Sequence, residues 1–408
     1  MKILLSAYAC EPNAGSDKEV GWQWAIRLAN LGHDVWVLVR SVHKAAIEKE
    51  CDVNGKPENL HFVYYEIDWF IRNTNWFKGR IYFYYYLWQW VAATRAKQLH
   101  KEKKFDVVHH VTWVSLRQPS FMGRLGIPFI YGPCAGGETA PFCLRVGYSL
   151  RQWVSDVVRD IANALVRFDP FMQYVFRSAE SVYVTSEQSR RLISGRFHRK
   201  VKIHLAIGMD LVDIESLEKE SDSRDLSNND FRVLHVGRFV GWKGMHLGLA
   251  AFAKLKNAVP SARLTMVGKG GDEKTLRKIA IKLGINDAID WVSWVDQKDL
   301  LAIYMKHDCF LFPSLHDSGG LVVLEAMRSG LPVVCLDLGG PGVIVNESCG
   351  FSVETRNCSR DDVINKLSDS MTSLANNSEL RKTLSSGAIN RVNEFTWEHL
   401  IKRIYEEN

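Results

Sequence analysis

The sequence predicts an α/β protein that consists of two doubly wound domains, each built on a parallel sheet. Short apolar runs alternate with helical patterns along most of the 408 residues. This alternation stops once, in a polar and turn-rich stretch over residues 209–230, and then begins again. With 46% hydrophobic and 24% charged residues, the composition is that of a globular protein and argues against disorder.

The alternation predicts individual strands and helices in both halves. In the first half, strands are expected over Lys2–Ala7, Val35–Val39, Phe105–His110, Pro128–Tyr131 and Ser181–Val184, with a helix over Val20–Leu31. In the second half, strands are expected over Arg232–Val236, Arg263–Val267, Ile289–Val292, Cys309–Phe312 and Val333–Cys335, with helices over Gly244–Lys256 and Thr275–Leu283. We therefore predict domains over 1–208 and 231–390 with a linker over 209–230. Because such sheets bind ligands at the carboxyl ends of their strands, the two domains are expected to face a shared cleft.

Charge is unevenly distributed along the chain. Residues 1–200 contain 27 Lys and Arg against 18 Asp and Glu, a net +9, whereas residues 201–408 contain 25 against 28, a net −3. A basic first half suggests an anionic partner, namely a phosphate-bearing acceptor, an anionic membrane surface or nucleic acid. A solvated surface rich in arginine explains the excess equally well.

Cysteine spacing and apolar run length limit the protein class. The eight cysteines form no CxxC pair, which indicates neither a disulfide framework nor a zinc site. The N-terminus lacks the apolar core of a signal peptide, and no apolar run approaches the roughly 18 residues of a membrane span. The cytoplasm is the expected location, with the inner face of the membrane as a site of action.

An aromatic and basic stretch over Trp69–Lys97 interrupts the alternation. Aromatic rings interspersed with Arg and Lys suit the boundary between lipid headgroups and acyl chains, which predicts a membrane-surface contact. Stacking on nucleic-acid bases and packing of a helix inside the first domain are the alternatives. A second basic helix, near Ser149–Arg167, could extend the same surface.

The strongest local pattern covers Phe310–Met327, where a buried strand, a glycine turn and a helix start follow one another. The glycines let the backbone approach a ligand closely, and the helix start offers free N–H groups and the positive dipole end to a diphosphate. A carboxylate before the helix can bind sugar hydroxyls, and one inside it can accept hydrogen bonds from ribose. The predicted donor-binding residues here are Asp317, Ser318, Gly319, Gly320, Leu321, Val322 and Glu325. A plain tight turn is the structural alternative.

Two cations follow another strand of the second half. Gly237 and Arg238 come directly after the strand, and Lys243 precedes the next helix. Arg238 can bind two phosphate oxygens in a fork while Lys243 acts as a point charge, so the pair could neutralise a leaving diphosphate without a metal. Simple surface solvation is the alternative.

Polar groups also follow strands of the first half. The strand ending at His109 and His110 places an imidazole where it could bind a sugar hydroxyl or polarise a substrate. We favour His110 over His109, since strand alternation sends the two side chains to opposite sides. Gly15 and Ser16 precede the first helix, and Glu138 follows a glycine-rich turn, so these residues are weaker candidates for phosphate or acceptor binding.

Together these segments resemble the family 4 retaining glycosyltransferases, which have the GT-B fold, over nearly the whole chain. The family's pattern of two glutamates separated by seven residues is kept in spacing, with Asp317 replacing the first and Glu325 as the second. The family's His-x-His pattern is not kept, so the choice between His109 and His110 stays open. Trp291–Val295 matches the segment that faces the nucleotide base, which adds Trp294 and Val295 to the predicted donor site. The resemblance also implies that a last helix, over 391–408, returns to the first domain.

The resemblance implies transfer of a sugar from a nucleotide-sugar donor with retention of configuration, and with no metal and no cofactor. The acceptor hydroxyl would attack on the front face while the leaving phosphate accepts its proton. The predicted catalytic residues are His110, His109, Arg238, Lys243 and Asp317, with Gly15 and Gly237 in the donor site and Ser16 and Glu138 at the acceptor. The expected acceptor is a glycan or a polyprenyl-linked glycan, as in bacterial surface polysaccharide biosynthesis, and nucleic acid is not an expected partner.

Three other protein classes remain as alternatives. A nicotinamide-dependent oxidoreductase would carry GxGxxG after a strand, which neither half shows. A sugar-nucleotide epimerase on the same fold would release no free diphosphate when given an acceptor. A nonenzymatic membrane- or nucleic-acid-binding protein would leave the phosphate-binding pattern of the second half unexplained.

Overall fold

The structure, a computed structural model, describes residues 1–67, 81–113, 115–210, 230–293 and 295–406. The chain divides into two compact units. Unit 1 contains Met1–Gly137, Ile161–Ile207 and Trp397–Asn408, and unit 2 contains Glu138–Asp160 and Gly208–Thr396. Residues 138–160, which fall inside the predicted first domain, thus belong to unit 2. Most of the predicted linker, residues 211–229, lies outside the described part of the chain.

Unit 1 contains a seven-stranded parallel sheet in the order β3-β2-β1-β4-β5-β6-β7. Its strands are β1 (Lys2–Ala7), β2 (Asp34–Arg40), β3 (Leu60–Tyr65), β4 (Val107–His110), β5 (Phe129–Cys134), β6 (Ser181–Val184) and β7 (Val201–Ile203). Its helices include α1 (Ser16–Asn30), α2 (Lys44–Asn54) and α3 (Ile81–Lys103). Helix α4 (Leu150–Leu165) begins in unit 2 and ends in unit 1, followed by α5 (Pro170–Ser178) and α6 (Glu187–Leu192).

Unit 2 contains a six-stranded parallel sheet in the order β10-β9-β8-β11-β12-β13. Its strands are β8 (Arg232–Val236), β9 (Arg263–Val267), β10 (Ile289–Val292), β11 (Cys309–Phe312), β12 (Val333–Leu336) and β13 (Gly350–Val353). Its helices include α7 (Met245–Ala258), α8 (Glu273–Lys282), α9 (Gln297–Met305), α10 (Leu321–Arg328), α11 (Pro341–Ile344), α12 (Arg360–Asn376) and α13 (Ser378–Val392). The two doubly wound parallel sheets confirm the predicted fold class.

The central strands are buried along their whole length because helices cover both faces of a doubly wound sheet. Every residue of β4, β5, β6, β11 and β12 is buried. The order of each sheet reverses once, between β1 and β4 in unit 1 and between β8 and β11 in unit 2. Ligands of doubly wound sheets bind at the carboxyl ends of the strands beside this reversal.

The described part of the aromatic stretch, from residue 81 onward, lies on α3. One side of this helix packs into the core of unit 1 through Tyr85 and Trp88, as the internal-packing alternative requires. Tyr82, Phe83 and Trp90 are exposed on the same helix. Residues 68–80, which include Trp69, lie outside the described part, so a membrane contact through Trp69–Lys97 stays a prediction.

The last helix, α14 (Trp397–Glu406), belongs to unit 1 and packs against α1. His109 of β4 anchors this helix to the sheet. Its Nδ1 lies 2.8 Å from the Tyr405 hydroxyl and its Nε2 lies 2.7 Å from the Gly132 carbonyl oxygen. Burial lowers the pKa of His109 to about 3, so the ring is neutral, with Nε2–H donating to the carbonyl and Nδ1 accepting from the hydroxyl.

Replacing His109 by alanine is expected to destabilise unit 1 by about 2–4 kcal/mol. The change leaves a cavity and removes the partners of the Gly132 carbonyl and the Tyr405 hydroxyl. Chemical denaturation followed by circular dichroism measures the loss. Tyr405→Phe, which removes only one hydrogen bond, should cost about 1 kcal/mol. An unchanged denaturation midpoint in His109→Ala would contradict this anchoring role.

Candidate donor-binding site

Two loops of unit 2 begin at adjacent strands beside the reversal of its sheet. The loop after β8 carries Gly237, Arg238 and Lys243, and the loop after β11 carries the segment from Pro313 to Gly320. Since β8 pairs directly with β11 in parallel, both loops leave the same edge of the sheet. The sheet topology therefore brings together two motifs that are about 75 residues apart in sequence.

Backbone contacts hold the two loops together. The carbonyl oxygen of Trp242 accepts a hydrogen bond from the Leu315 N–H at 2.8 Å and another from the Ser314 hydroxyl at 3.2 Å. Gly244 closes the first loop at φ +70°, and a Cβ at this position would overlap the carbonyl oxygen of Pro313. Glycine is thus required here both by the left-handed backbone and by the close approach of the second loop.

Lys243 and Asp317 form an ion pair between the two loops. The other carboxylate oxygen of Asp317 accepts the N–H groups of Gly319 and Gly320 at 3.1 and 2.9 Å. Burial alone would raise the pKa of Asp317, but the charge and hydrogen bond of Lys243 together with these two N–H groups lower it. The carboxylate therefore stays ionised and fixes the position of the ammonium group.

Helix α10 begins directly after this ion pair. Gly320 precedes it at φ +64°, and the N–H groups of Leu321 and Val322 have no acceptor among the described residues. Two free N–H groups and the positive end of a helix dipole beside Lys243 form a cradle for an anion.

Glu325 lies one turn into α10, about 6 Å along the helix from Leu321. Its carboxylate accepts a hydrogen bond from the Tyr304 hydroxyl at 3.1 Å. Burial raises the pKa of Glu325, and the Tyr304 hydrogen bond and the charge of Arg328 only partly oppose this. One carboxylate oxygen thus has a protein donor, and the group retains acceptor capacity for hydroxyls of a ligand.

Arg238 is exposed, and its guanidinium lies 5.8 Å from the centre of the Trp242 ring. Gly237 comes between it and the end of β8. Arg238 is held by this aromatic contact and has no ion-pair partner among the described residues, so its charge is available to an anion. Lys243 also lies 4.8 Å from the centre of the Phe312 ring, at the end of β11.

His316, adjacent to Asp317, is a residue of this site that sequence reasoning missed. Its ring stacks on Trp242 with centroids 5.6 Å apart. Arg159 lies 2.7 Å from its Nδ1, and Asp156 lies 3.4 Å from its Nε2. Burial lowers the pKa of His316, so a neutral ring accepts from Arg159 and directs Nε2–H at the Asp156 carboxylate. Both partners are on α4, within unit 2, and they are about 160 residues away in sequence, so no local pattern could have revealed them.

Arg159→Ala is expected to weaken donor binding about tenfold while changing kcat little. The substitution removes the donor to His316, which packs on Trp242 between the two loops, so the effect is one of positioning. Donor KM and kcat are measured separately. Arg177→Ala, an exposed arginine on α5, is the matched control. Equal donor KM in the two variants would contradict the positioning role.

The two predicted histidines of unit 1 are fully buried. His110 lies beside the sheet reversal, where its Nδ1 is 2.9 Å from the Ser6 hydroxyl and its Nε2 is 3.1 Å from the Tyr85 hydroxyl. Burial lowers its pKa to about 3, so the ring is neutral. Both nitrogens of His110 and of His109 therefore have protein partners, and a catalytic role for either stays a prediction.

Two family models match this chain, and each of them covers strands of one of the two parallel sheets. The model of the glycosyl transferases group 1 family matches residues 217–391, and that of the glycosyl transferase 4-like domain matches residues 21–206. The two models together cover most of the chain, which belongs to the glycosyl transferases group 1 family. The predicted resemblance of the chain to the family 4 glycosyltransferases is thereby confirmed.

Characterised and uncharacterised relatives match parts of this chain. A glycogen synthase of Mycobacterium tuberculosis is 34% identical over 125 residues, which are 30% of each chain. A D-inositol 3-phosphate glycosyltransferase of Corynebacterium aurimucosum is 28% identical over 172 residues, 40% of this chain and 39% of that one. The uncharacterised glycosyltransferase YqgM of Bacillus subtilis is 24% identical over 59% of this chain and 61% of its own. The chain thus spans less than two thirds of these relatives.

Solved structures share the GT-B fold over the whole chain. The lipopolysaccharide outer core galactosyltransferase WaaB is similar with a TM-score of 0.63 and 14% identity, covering 100% of both chains. Anabaena HepE in complex with UDP and glucose is similar with a TM-score of 0.56 and 16% identity, covering 100% of this chain and 99% of its own. At these identities the likeness establishes the fold.

The remaining predicted site residues of the chain come from segments outside the two loops. Gly15 has φ +65° and open space around it, and the side chain of Ser16 lies outside the described part. Glu138 is buried in unit 2, where its charge acts on His316. Val295 follows β10 and is half-buried, and Trp294 is outside the described residues.

Among the described residues, no three His, Cys, Asp or Glu side chains come together in a group that could hold a metal ion. Every helix in the described ranges falls short of the length and apolarity that crossing a bilayer requires.

Proposed function

We propose that this protein transfers a sugar, with retention of configuration, from a nucleoside diphosphate sugar to a glycan or polyprenyl-linked glycan. The observation that carries the proposal is the Lys243–Asp317 pair beside the free N–H groups that begin α10. A fixed ammonium group and a helix start at the sheet reversal suit a diphosphate better than an uncharged ligand. We propose that the reaction belongs to bacterial surface polysaccharide biosynthesis. It would take place in the cytoplasm, at the inner face of the membrane.

The diphosphate would be bound by charges from both loops. Lys243 already balances Asp317, so a bound diphosphate needs further positive charge. Arg238, whose guanidinium lies over Trp242 and is exposed, supplies it in a planar fork that matches phosphate oxygens. The N–H groups of Leu321 and Val322 complete the set.

The two carboxylates would bind the two sugars of the donor. Glu325 lies one turn beyond the helix start and would accept hydrogen bonds from ribose hydroxyls. Asp317 is held by Lys243 and by the Gly319 and Gly320 N–H groups, so its position next to the diphosphate is fixed for contact with the transferred sugar.

In the proposed reaction, the bond between the anomeric carbon and the diphosphate breaks as the acceptor hydroxyl attacks on the same face. Negative charge builds up on the leaving phosphate, which takes the acceptor proton. Arg238, Lys243 and the α10 N-terminus stabilise that charge, and loss of one such contact costs about 3–4 kcal/mol of barrier by analogy with an oxyanion donor. The chain's own cations perform the role that a divalent metal has elsewhere, so we propose a reaction without metal.

The first donors to test are UDP-sugars, because HepE, which shares the fold, has a structure with UDP and glucose. Binding is tested by thermal stabilisation with UDP-, GDP- and ADP-linked sugars, since a ligand of the folded state raises the melting temperature by mass action. Transfer to glycans and polyprenyl-linked glycans is then assayed with and without a chelator, and the product's anomeric configuration is read by NMR. Loss of activity on chelation with recovery on adding Mg²⁺ would overturn the proposal that no metal is needed. A product of inverted anomeric configuration would overturn the proposal of retention. Conversion of the donor without an acceptor would indicate an epimerase.

A further inference from the structure

Helix α4 has an apolar side that faces solvent. Six side chains on this side are between 49% and 79% exposed, at intervals of three or four residues: Leu150, Val154, Val158, Ile161, Leu165 and Phe168. We call them the outer face of α4. The spacing puts all six on one stripe, which extends about 27 Å along the helix and its short continuation Val166–Phe168.

The opposite side of the helix carries the polar groups. Asp156 is buried and contacts His316, and Asp160 pairs with Arg145. Asn163 is buried and accepts a hydrogen bond from Arg117. A surface helix ordinarily directs its apolar stripe at the core and its charges at water, and α4 does the reverse. An apolar stripe of this length on the outside marks an interaction surface.

Two cations flank the outer face, while Asp169, the carboxylate that follows Phe168, caps α5 by accepting the Phe171 and Met172 N–H groups. Arg151, at the start of the helix, is exposed and has no partner among the described residues, and Arg167, at its end, is exposed and makes one hydrogen bond of 3.5 Å. Both carboxylates of α4, Asp156 and Asp160, are turned inward and paired. A partner that covers the outer face therefore meets apolar side chains flanked by two cations, which requires an apolar surface with negative charge at its border.

We propose that the outer face of α4 lies on an anionic lipid bilayer, with its apolar side chains at the acyl boundary and Arg151 and Arg167 at headgroup phosphates. Trp153, which is exposed beside the stripe, suits the same interface. A second copy of the chain is a poorer partner. Antiparallel packing of two such helices about a two-fold axis would place Arg151 beside Arg167, with the carboxylates facing away from the contact.

The experiment is vesicle flotation of the full chain with phosphatidylcholine vesicles that contain about one third phosphatidylglycerol. Wild type is expected to float with them, and less with phosphatidylcholine alone. Ile161→Glu, which places a carboxylate in the stripe, should lower the bound fraction at least about tenfold. Ile281→Glu, an exposed isoleucine on α8, is the matched control and should float like wild type. Arg151→Glu should shift binding toward lower salt.

Equal flotation of Ile161→Glu and wild type, or no flotation of wild type, would overturn the proposal. Wild type that dimerises in light scattering, with a monomeric Ile161→Glu, would overturn it in favour of a second copy. The proposal does not rest on the transfer reaction. A Glu325→Gln protein should float normally, and Ile161→Glu should retain transfer to a soluble glycan, so failure of one proposal leaves the other measurable.

Discussion

Replacing Lys243 by glutamine is expected to lower kcat/KM for sugar transfer about 100- to 1000-fold. Lys243 pairs with Asp317, whose other oxygen accepts the Gly319 and Gly320 N–H groups just before α10, where the diphosphate would leave. A neutral amide cannot offset the charge that builds up there, and loss of one contact of this type costs about 3–4 kcal/mol of barrier. Steady-state kinetics with a saturating acceptor measures the loss. Turnover at the wild-type rate would defeat the assignment of the diphosphate site.

The same substitution has a predictable effect on stability. The pKa of Asp317 is lowered in the folded protein, so its carboxylate contributes stability that is present above the unfolded pKa and is lost as pH falls through the lowered value. Without Lys243, only the Gly319 and Gly320 N–H groups oppose the effect of burial, so the pKa of Asp317 is expected to rise. Lys243→Gln is therefore expected to be about 1–3 kcal/mol less stable than wild type at pH 7, and the difference should vanish below the pKa values of this carboxyl group.

A double variant separates the two effects. Lys243→Gln with Asp317→Asn removes both charges and should recover most of the stability at pH 7, while transfer stays low. Lys274→Gln, which replaces an exposed lysine of α8, should match wild type in both measurements. A double variant that regains transfer would show that the single substitution acted only by leaving the Asp317 charge unbalanced.

Much of the sheet architecture was predictable because buried parallel strands appear in the sequence as short, mainly apolar runs. The predicted bounds of β1, β6, β8, β9, β10 and β11 match the structure residue for residue. Helix α7 begins one residue after the predicted Gly244, because that glycine adopts a left-handed backbone and closes the loop instead. Local pattern was sufficient here because a strand that is buried on both faces keeps its apolar residues together in one run of the sequence.

The assignment of 138–160 to unit 2 could not be predicted in the same way. The periodicity of α4 shows a stripe of apolar side chains, but periodicity does not say which side of a helix is covered. Here the polar side is covered, through Asp156 and Arg159 at His316, and the apolar side is exposed. Likewise, strand alternation placed His109 and His110 on opposite sides of β4, but only tertiary contacts show that both rings are enclosed.

Replacing Glu325 by glutamine is expected to weaken transfer about 100-fold and at the same time to stabilise the protein at neutral pH. A hydrogen bond to a charged group contributes about 1.5–3 kcal/mol and one to a neutral amide about 1 kcal/mol, so loss of the charge weakens two bonds from ribose hydroxyls by about 2–3 kcal/mol in all. The gain in stability has the opposite origin. Burial raises the pKa of Glu325, so its favourable contribution is complete below the unfolded pKa and is lost as pH rises through the folded value.

At pH 8 the folded chain thus holds an ionised carboxylate in a site that disfavours the charge, and glutamine relieves this cost. The melting temperature of Glu325→Gln should exceed that of wild type at pH 8 and equal it near pH 4, where both side chains are neutral. Glu347→Gln, an exposed glutamate in the same unit, should change neither transfer nor stability. A Glu325→Gln protein that transfers sugar normally, or that is less stable at pH 8, would contradict the proposed role. A gain in stability with a loss of transfer is the pattern expected when a buried charge is kept for a substrate and not for the fold.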